Sequence, residues 1–353
     1  MAALLFALFH VVICLISSYG LYIVFRKKII SYISAVVMLT VPLGVFAMKF
    51  AWNINSILRL RNACIWGYVY YGFVIYFSIC VACLWILNKC FNRLNFRVSL
   101  SVAIFFVLSL LGYGYHNVTT IELTKIILPS NVNARIVFMS DIHAGAINTV
   151  QNLKQISSCV DKIKPDLILL GGDTLDLDVF YRYNKTFINI FKRITNKYKT
   201  YAIVGNHEVY AGINRCKKLL EASGIKLLCD EDVKSNGLTI IGRLDYSIHN
   251  RKKLDELINA NQNNVIVVDH NPVELNYQKN LPSNILLYIC GHTHGGQVFP
   301  MNVLANYMYK PTGILGKLGE SNYYISFGEG FWGIPYRIGT KSEIVLIELK
   351  KNK

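Results

Sequence analysis

The chain has 353 residues, 53% of them hydrophobic, with a formal net charge of +16 and a mean hydropathy of +0.35. This balance excludes an intrinsically disordered chain and a small disulfide-stapled domain, and it is too apolar for an ordinary soluble enzyme. The charge is unevenly distributed, because residues 1–114 contain nine Lys or Arg and none of the 21 acidic residues. We therefore expect a membrane-associated part followed by a soluble part.

The N-terminal part contains four uncharged apolar stretches, each close to the ~20 residues that cross a bilayer as a helix. They lie at residues 3–25, 29–48, 63–87 and 98–115. A cleaved signal peptide is disfavoured for the first stretch, because no basic region precedes it and three further stretches follow. The sequence therefore predicts four transmembrane helices.

Basic residues beside the first stretch predict its orientation. Loops rich in Lys and Arg stay on the cytoplasmic side of a membrane. No charge precedes the first stretch, whereas Arg26, Lys27 and Lys28 follow it directly. We expect an integral membrane protein, of the cytoplasmic (inner) membrane if bacterial, whose C-terminal domain is extracytoplasmic. The expected division is a four-helix transmembrane region at 1–115, a linker and entering strand at 116–133, and a folded domain at 134–353.

The C-terminal part alternates short β-rich runs with amphipathic helical patterns. The predicted strands are residues 136–139, 167–170, 201–204, 239–241, 265–268, 285–289, 323–327 and 344–347. The predicted helices are residues 147–163, 184–197, 213–223 and 252–260. This order indicates an α/β domain with two sheets and outer helices.

Five of the predicted strands are followed at once by His, Asp or Asn. The runs are Ser140-Asp141-Ile142-His143, Gly171-Gly172-Asp173-Thr174-Leu175-Asp176, Gly205-Asn206-His207-Glu208, Asp269-His270 and Gly291-His292-Thr293-His294. The carboxyl ends of strands are where α/β sheets place their sites. Each turn alone is a weak signal, but five in a fixed order supply oxygen and nitrogen donors that suit a pair of divalent transition metals.

These five turns resemble the pattern of the calcineurin-like metallophosphoesterase superfamily, which reads D-x-H, G-D-x-x-D, G-N-H-[DE], H and G-H-x-H. The G-H-T-H-G-G-Q run, with Arg337-Ile338-Gly339 and Glu343 in the tail, further resembles the bacterial membrane-associated branch of that family. The resemblance covers about residues 120–350. It implies a metallophosphoesterase α/β/β/α sandwich that follows the membrane helices.

The resemblance implies a ligand for each position of a two-metal centre. The implied ligands are Asp141, His143 and His294 for the first ion, Asn206, His270 and His292 for the second, and Asp173 as the bridge between them. Asp, His and Asn donors admit Mn, Fe or Zn. A hydroxide bridging the two ions would be the nucleophile.

The resemblance also implies a proton donor. His207 would stabilise or protonate the leaving oxygen, and Asp176 would orient it and raise its pKa. Glu208 is the structural alternative for that carboxylate. Asp269 either supports the imidazole of His270 or is an ordinary residue at the end of a strand, and the second interpretation is favoured.

The function that follows is a membrane-anchored phosphoesterase acting on a phosphodiester or pyrophosphate bond, on a lipid-linked or envelope substrate, with Arg337 among the substrate-binding residues. A nuclease or cyclic-nucleotide phosphodiesterase is the first alternative, because positive charge attracts nucleic acid. About half of the excess charge lies in membrane loops, so nucleic acid is not the expected partner. The second alternative is a catalytically silent metal-binding membrane scaffold, which the complete ligand set disfavours.

Overall fold

The computed structural model describes residues 61–91, 95–145, 150–259 and 262–351, together with scattered helical positions between 11 and 38. The chain divides into two compact units. The first comprises residues 1–116 with 333–336, and the second comprises residues 117–332 with 337–353.

Two long helices, α1 (Arg61–Phe91) and α2 (Phe96–Thr119), account for most of the described residues of the first unit. Their segments Ile65–Cys90 and Val98–Thr119 are long and apolar enough to cross a membrane. The third and fourth predicted spans are therefore helical. The first and second predicted spans lie largely outside the described residues.

The second unit is built from strands and short helices. The strands are β1 (Ile121–Ser130), β2 (Ala134–Met139), β3 (Leu167–Leu170), β4 (Lys199–Ile203), β5 (Lys226–Leu228), β6 (Glu231–Ser235), β7 (Leu238–Gly242), β8 (Val265–Val268), β9 (Ile285–Cys290), β10 (Gly316–Leu318), β11 (Ser321–Ile325) and β12 (Ser342–Lys351). The helices are α3 (Val150–Ile163), α4 (Val179–Arg182), α5 (Asn184–Thr195), α6 (Asn206–Ala211), α7 (Ile213–Ala222), α8 (Leu254–Leu257), α9 (Val273–Tyr277) and α10 (Met301–Met308), with a 3₁₀ turn at His294–Gly296.

Two six-stranded mixed sheets form the centre of this unit. Their strand orders are β1-β12-β2-β3-β4-β5 and β10-β11-β9-β8-β7-β6. Most neighbours are parallel, and the antiparallel pairs are β12–β2, β6–β7 and β10–β11. Because β2, β3 and β4 run parallel, as do β8 and β9, the turns after them open at the same ends of their sheets.

Side chains of β2 alternate between two cores. Ile136 and Phe138 pack against the second sheet, whereas Val137 and Met139 pack against the outer helices. In β8, Ile266 likewise joins the core between the sheets. This period of two follows from the pleat of a strand, and the near-continuous apolar runs reflect strands that are covered on both faces. The prediction of an α/β domain with two sheets is confirmed.

Three strands escaped prediction from the sequence. β5 and β10 have only three residues each, and β6 reads Glu-Asp-Val-Lys-Ser with no apolar alternation. The predicted helix at 252–260 is confined to α8, because residue 258 is already extended. Within residues 116–133, where a linker and an entering strand are expected, β1 pairs along ten residues with β12.

Candidate metal centre

Left-handed backbone shapes three of the turns that carry the expected ligands. The φ angle is +57° at Asp141, +46° at His143, +49° at Asp173, +73° at His292 and +48° at His294. A residue other than glycine in this region costs of the order of 1–3 kcal/mol, and such residues cluster at functional sites. The fold therefore sustains a local cost in order to direct these five side chains inward.

The first group of converging side chains is Asp141, His143 and His294, all buried, whose ligand atoms lie within 4.8 Å of one another. Nε2 of His294 lies 3.2 Å from Nε2 of His143 and 3.6 Å from a carboxylate oxygen of Asp141. Without metal, the two imidazole nitrogens can share one proton in a hydrogen bond, and a cation between them would bind both. The group has the composition and spacing of a metal site.

The second group brings together Asp173, His270 and His292, with Asn206 beside them. Nε2 of His270 lies 3.2 Å from Nδ1 of His292 and 3.3 Å from Oδ2 of Asp173. The amide oxygen of Asn206 lies 3.0 Å from His292 and 3.2 Å from His270. Nδ1 of His270 is 2.9 Å from the carbonyl oxygen of Gly171, which fixes Nε2 as the nitrogen that faces the other donors.

Asp173 lies between the two groups. Its Oδ2 atom is 3.3 Å from Nε2 of His270 in one group and 3.8 Å from Nε2 of His143 in the other. Its Oδ1 atom accepts a hydrogen bond of 2.8 Å from the backbone N–H of His207. The structure thus brings all seven expected ligands together, namely Asp141, His143, Asp173, Asn206, His270, His292 and His294.

The electrostatics of these groups suit cations. Burial alone would lower the pKa of His143, but the charge and hydrogen bond of Asp176 raise it to about 9. Burial would raise the pKa of Asp173, yet His270 and His207 hold it well below its usual range. Without metal, the buried carboxylates therefore raise the pKa values of His143 and His270, and divalent ions would supply the same positive charge.

His207 is oriented by Asp176. Nδ1 of His207 lies 2.6 Å from Oδ1 of Asp176, and the His207 side chain is 17% exposed. Two exposed aromatic rings flank this imidazole, Tyr210 at 5.7 Å and Trp332 at 6.4 Å between ring centroids. The geometry leaves Nε2 of His207 as the nitrogen available to a bound molecule.

Glu208 has a different task. Its fully buried carboxylate accepts backbone hydrogen bonds from Asp173 at 2.9 Å, Leu175 at 2.9 Å and Gly205 at 2.8 Å. These bonds join the turn after β3 to the turn after β4. With its oxygens so engaged, Glu208 is a structural group, and Asp176 is the carboxylate that contacts His207.

Arg337 is placed differently from the expected substrate contact. Its side chain is fully buried, and its guanidinium donates to the backbone carbonyls of Phe327, Gly328, Gly330 and His294. Since no part of Arg337 reaches solvent, we correct the expectation that it binds substrate.

Burial, together with the charges of His143 and Arg337, lowers the pKa of His294 to about 3, which keeps this imidazole in the neutral form that binds metal.

Asp269 does not support the imidazole of His270. It is buried, pairs with Arg251 and accepts a hydrogen bond of 2.5 Å from the hydroxyl of Tyr288. It is the strand-end residue favoured from the sequence, although its surroundings are a buried ionic cluster. Asp245, which belongs to none of the five motifs, is also buried.

Glu329 is a buried acid that the motifs did not indicate. It is 1% exposed, its Oε2 atom has no hydrogen-bond partner among the described residues, and its backbone N–H donates to Ser140 beside the first ligand turn. Burial raises the pKa of Glu329 to about 8, although the charges of Arg337 and His143 lower it. Only its position between two glycines, Gly328 and Gly330, hints at a constrained loop.

Comparison with known proteins agrees with this geometry. Residues 134–296 match the family described as Calcineurin-like phosphoesterase. An uncharacterized metallophosphoesterase of Helicobacter pylori is 29% identical over 261 residues, which cover 69% of each chain. A bovine (Bos taurus) transmembrane protein with metallophosphoesterase domain is 26% identical over 284 residues, covering 73% of this chain and 64% of the relative.

Among solved structures, the 5'-nucleotidase precursor of Thermus thermophilus matches with a TM-score of 0.39 and 16% identity, over 61% of this chain and 55% of that one. The NAD nucleotidase of Haemophilus influenzae matches with a TM-score of 0.37 and 16% identity, over 56% of this chain and 46% of that one. The chain thus spans about half the length of these two proteins.

Proposed function

We propose that this chain, whose residues 134–296 are a calcineurin-like metallophosphoesterase domain, is a membrane-anchored enzyme that hydrolyses a phosphodiester or pyrophosphate bond with two divalent cations. One observation carries the proposal. The Asp173 carboxylate is shared between two groups of converging donor atoms, and His207 lies beside it. Mn, Fe or Zn would suit these donors.

The residues divide the work of such a site. Asp141, His143 and His294 would hold one cation, Asn206, His270 and His292 the other, and Asp173 both. Two ions held in this way lower the pKa of a water molecule and neutralise charge on the phosphoryl oxygens. Asn206 contributes an amide oxygen without adding negative charge where a phosphate must bind.

His207 would donate a proton to the leaving oxygen from Nε2. Asp176 holds the opposite nitrogen, Nδ1, at 2.6 Å, which keeps the ring in one orientation. The neighbouring rings of Tyr210 and Trp332 would contact the leaving group. This arrangement favours substrates whose leaving group needs a proton, as an alkoxide or a sugar oxygen does.

A membrane location supports a lipid-linked or envelope phosphate as the substrate. The helices α1 and α2 contain segments that could cross a bilayer, and relatives from cattle and zebrafish (Danio rerio) are named as transmembrane proteins. The three basic residues Arg26, Lys27 and Lys28 after the first apolar stretch favour a catalytic domain on the extracytoplasmic side.

The first test is turnover by the full-length chain in detergent with Mn²⁺. Bis-p-nitrophenyl phosphate, a diester, is compared with p-nitrophenyl phosphate, a monoester. The proposal expects diester turnover that disappears in Asp173→Ala and persists in Asp255→Ala, a matched change at an exposed position of α8. A strong preference for the monoester would contradict the proposed bond type, and activity surviving in Asp173→Ala would contradict the site.

The orientation needs a separate test. A C-terminal tag should react with a membrane-impermeant label in intact cells if the catalytic domain is extracytoplasmic. A tag that reacts only after the cells are permeabilised would place the domain in the cytoplasm.

A further inference from the structure

The helix α10 exposes its apolar side chains. None of the eight residues Met301–Met308, all of which the structure describes, is buried. Val303 is 61% exposed, Tyr307 is 87% exposed, and Leu304 and Met308 are also exposed. A helix that packs on a core buries one apolar face, whereas this helix leaves its apolar side chains exposed to water.

The exposed side chains form one stripe. Val303 and Tyr307 are four residues apart, as are Leu304 and Met308, so the two pairs lie side by side on the helix. Ile314 and Leu315, in the loop that follows, are exposed as well. We call residues 299–315 the apolar segment.

The apolar segment is tied to the metal centre at both ends. At its start it follows His294, an expected ligand, by five residues. Near its end, the hydroxyl of Thr312 lies 3.1 Å from the hydroxyl of Thr293, which stands between His292 and His294. A partner that binds the segment would therefore be held close to the turn that supplies two metal ligands.

The charge in and beside the apolar segment is positive, which favours a negatively charged partner. From Gln297 to Gly319 the sequence contains no Asp or Glu, and its only charged side chains are Lys310 and Lys317. Anionic lipids give a bilayer surface a negative potential that attracts such lysines. Tyrosine is enriched at membrane interfaces, and Tyr307 is the most exposed residue of the stripe.

We propose that the apolar segment lies in the headgroup region of an anionic bilayer and so holds the metal centre at the lipid surface. Apolar area on one face, flanking lysines and an interfacial aromatic residue are the features of a helix that lies in a membrane rather than across it. The inference goes beyond the proposed reaction and rests on it only in requiring that the chain is in a membrane.

A photoreactive residue tests what the segment touches. The full-length chain is reconstituted in vesicles of phosphatidylcholine and phosphatidylglycerol, with Tyr307 replaced by benzoylphenylalanine. After irradiation, the mass of the chain reports what has been captured. The matched control carries the same residue at Lys197, an exposed position after α5.

The expected result is phospholipid adducts at position 307 and few at position 197. Replacing both lysines, as Lys310→Glu with Lys317→Glu, should lower the adduct yield severalfold in anionic vesicles, since each basic residue near the surface changes binding about fivefold. In vesicles of phosphatidylcholine alone, the adduct yield at position 307 should be the same with and without the two lysine replacements.

Two results would overturn the inference. Adducts that join two copies of the chain would assign the segment to a protein interface, and a yield at 307 no higher than at 197 would leave it facing water. Flotation of the wild-type chain with the vesicles and hydrolysis of the nitrophenyl diester are measured in the same samples. A chain that does not float with the vesicles is not anchored, and a chain that does not hydrolyse the diester lacks the proposed reaction. Both results are therefore distinguished from the failure of the apolar segment to contact lipid.

Discussion

A carboxylate oxygen of Asp176 lies 2.6 Å from Nδ1 of His207. The same oxygen lies 3.0 Å from Nδ1 of His143. One acceptor therefore orients both the proposed proton donor and a proposed metal ligand, and it leaves Nε2 of each ring facing the centre. Changes at Asp176 should consequently affect proton transfer and metal binding together.

Asp176→Asn should lower turnover of an alkyl diester, whose leaving oxygen needs a proton, by about 10²–10⁴-fold, the contribution of a positioned acid. The loss should grow as the leaving group becomes more basic, because a good leaving group needs no proton. The measurement is kcat for aryl and alkyl diesters at saturating Mn²⁺. His207→Gln should show the same dependence, and the double variant should lose little more than the worse single one. Equal losses for all leaving groups would contradict the acid role.

Removing the cations should abolish activity and lower thermal stability. A group that binds only the folded chain stabilises it by mass action, so its removal lowers the free energy of unfolding. Chelation of the full-length chain should lower the unfolding temperature, and Mn²⁺, Fe²⁺ or Zn²⁺ should restore it. Elemental analysis should find two ions per chain in the wild type and fewer in Asp173→Ala. Full activity after complete removal of metal would contradict the proposed mechanism.

Glu208→Ala should act mainly by lowering the stability of the folded chain. Three buried backbone N–H groups would lose their acceptor, at about 1–3 kcal/mol for each group left unsatisfied. We expect a fall of many degrees in the unfolding temperature in detergent, with metal present. Glu221→Ala, at an exposed position of α7, is the matched control and should leave this temperature unchanged. A stable Glu208→Ala variant would show that other groups hold these turns.

Glu329 should make the stability of the metal-free chain depend on pH. Because its pKa is raised from 4.5 to about 8 in the folded state, its contribution is fully present below pH 4.5 and is lost as the pH rises to about 8. Glu329→Gln, which cannot ionise, should therefore gain stability relative to the wild type between pH 5 and pH 8. Unfolding temperatures measured with chelator at several pH values test this. The exposed Glu320→Gln should show no such trend, and a constant difference for Glu329→Gln would contradict the prediction.

A shared site could be anticipated because each of the five turns follows a strand whose apolar character is plain in the sequence, whereas the choice of the seven ligands came from the family resemblance. The strand β3, for example, consists of four buried apolar residues, and Gly171, Gly172 and Asp173 follow it directly. Strand ends of parallel sheets bring distant turns together, so local patterns sufficed to indicate a shared site.

Other features depend on packing and could not be read locally. Arg337 is a charged residue in a polar tail, and only the fold shows that backbone carbonyls surround it. Glu329 belongs to no motif, and its burial results from loops that lie far apart in sequence. β6 is polar and lies at the edge of its sheet, so no hydrophobic period marks it.

The three hydrogen bonds of Glu208 carry a consequence for the choice of ion. They join the turn that holds Asp173 to the turn that holds Asn206, so these two donors move as one rigid element. Calcium requires oxygen ligands at about 2.3–2.6 Å and a flexible shell, whereas zinc accepts donors at about 2.0–2.2 Å. A pocket that cannot widen should discriminate by ionic radius. Such a centre should therefore reject calcium and retain a smaller transition metal.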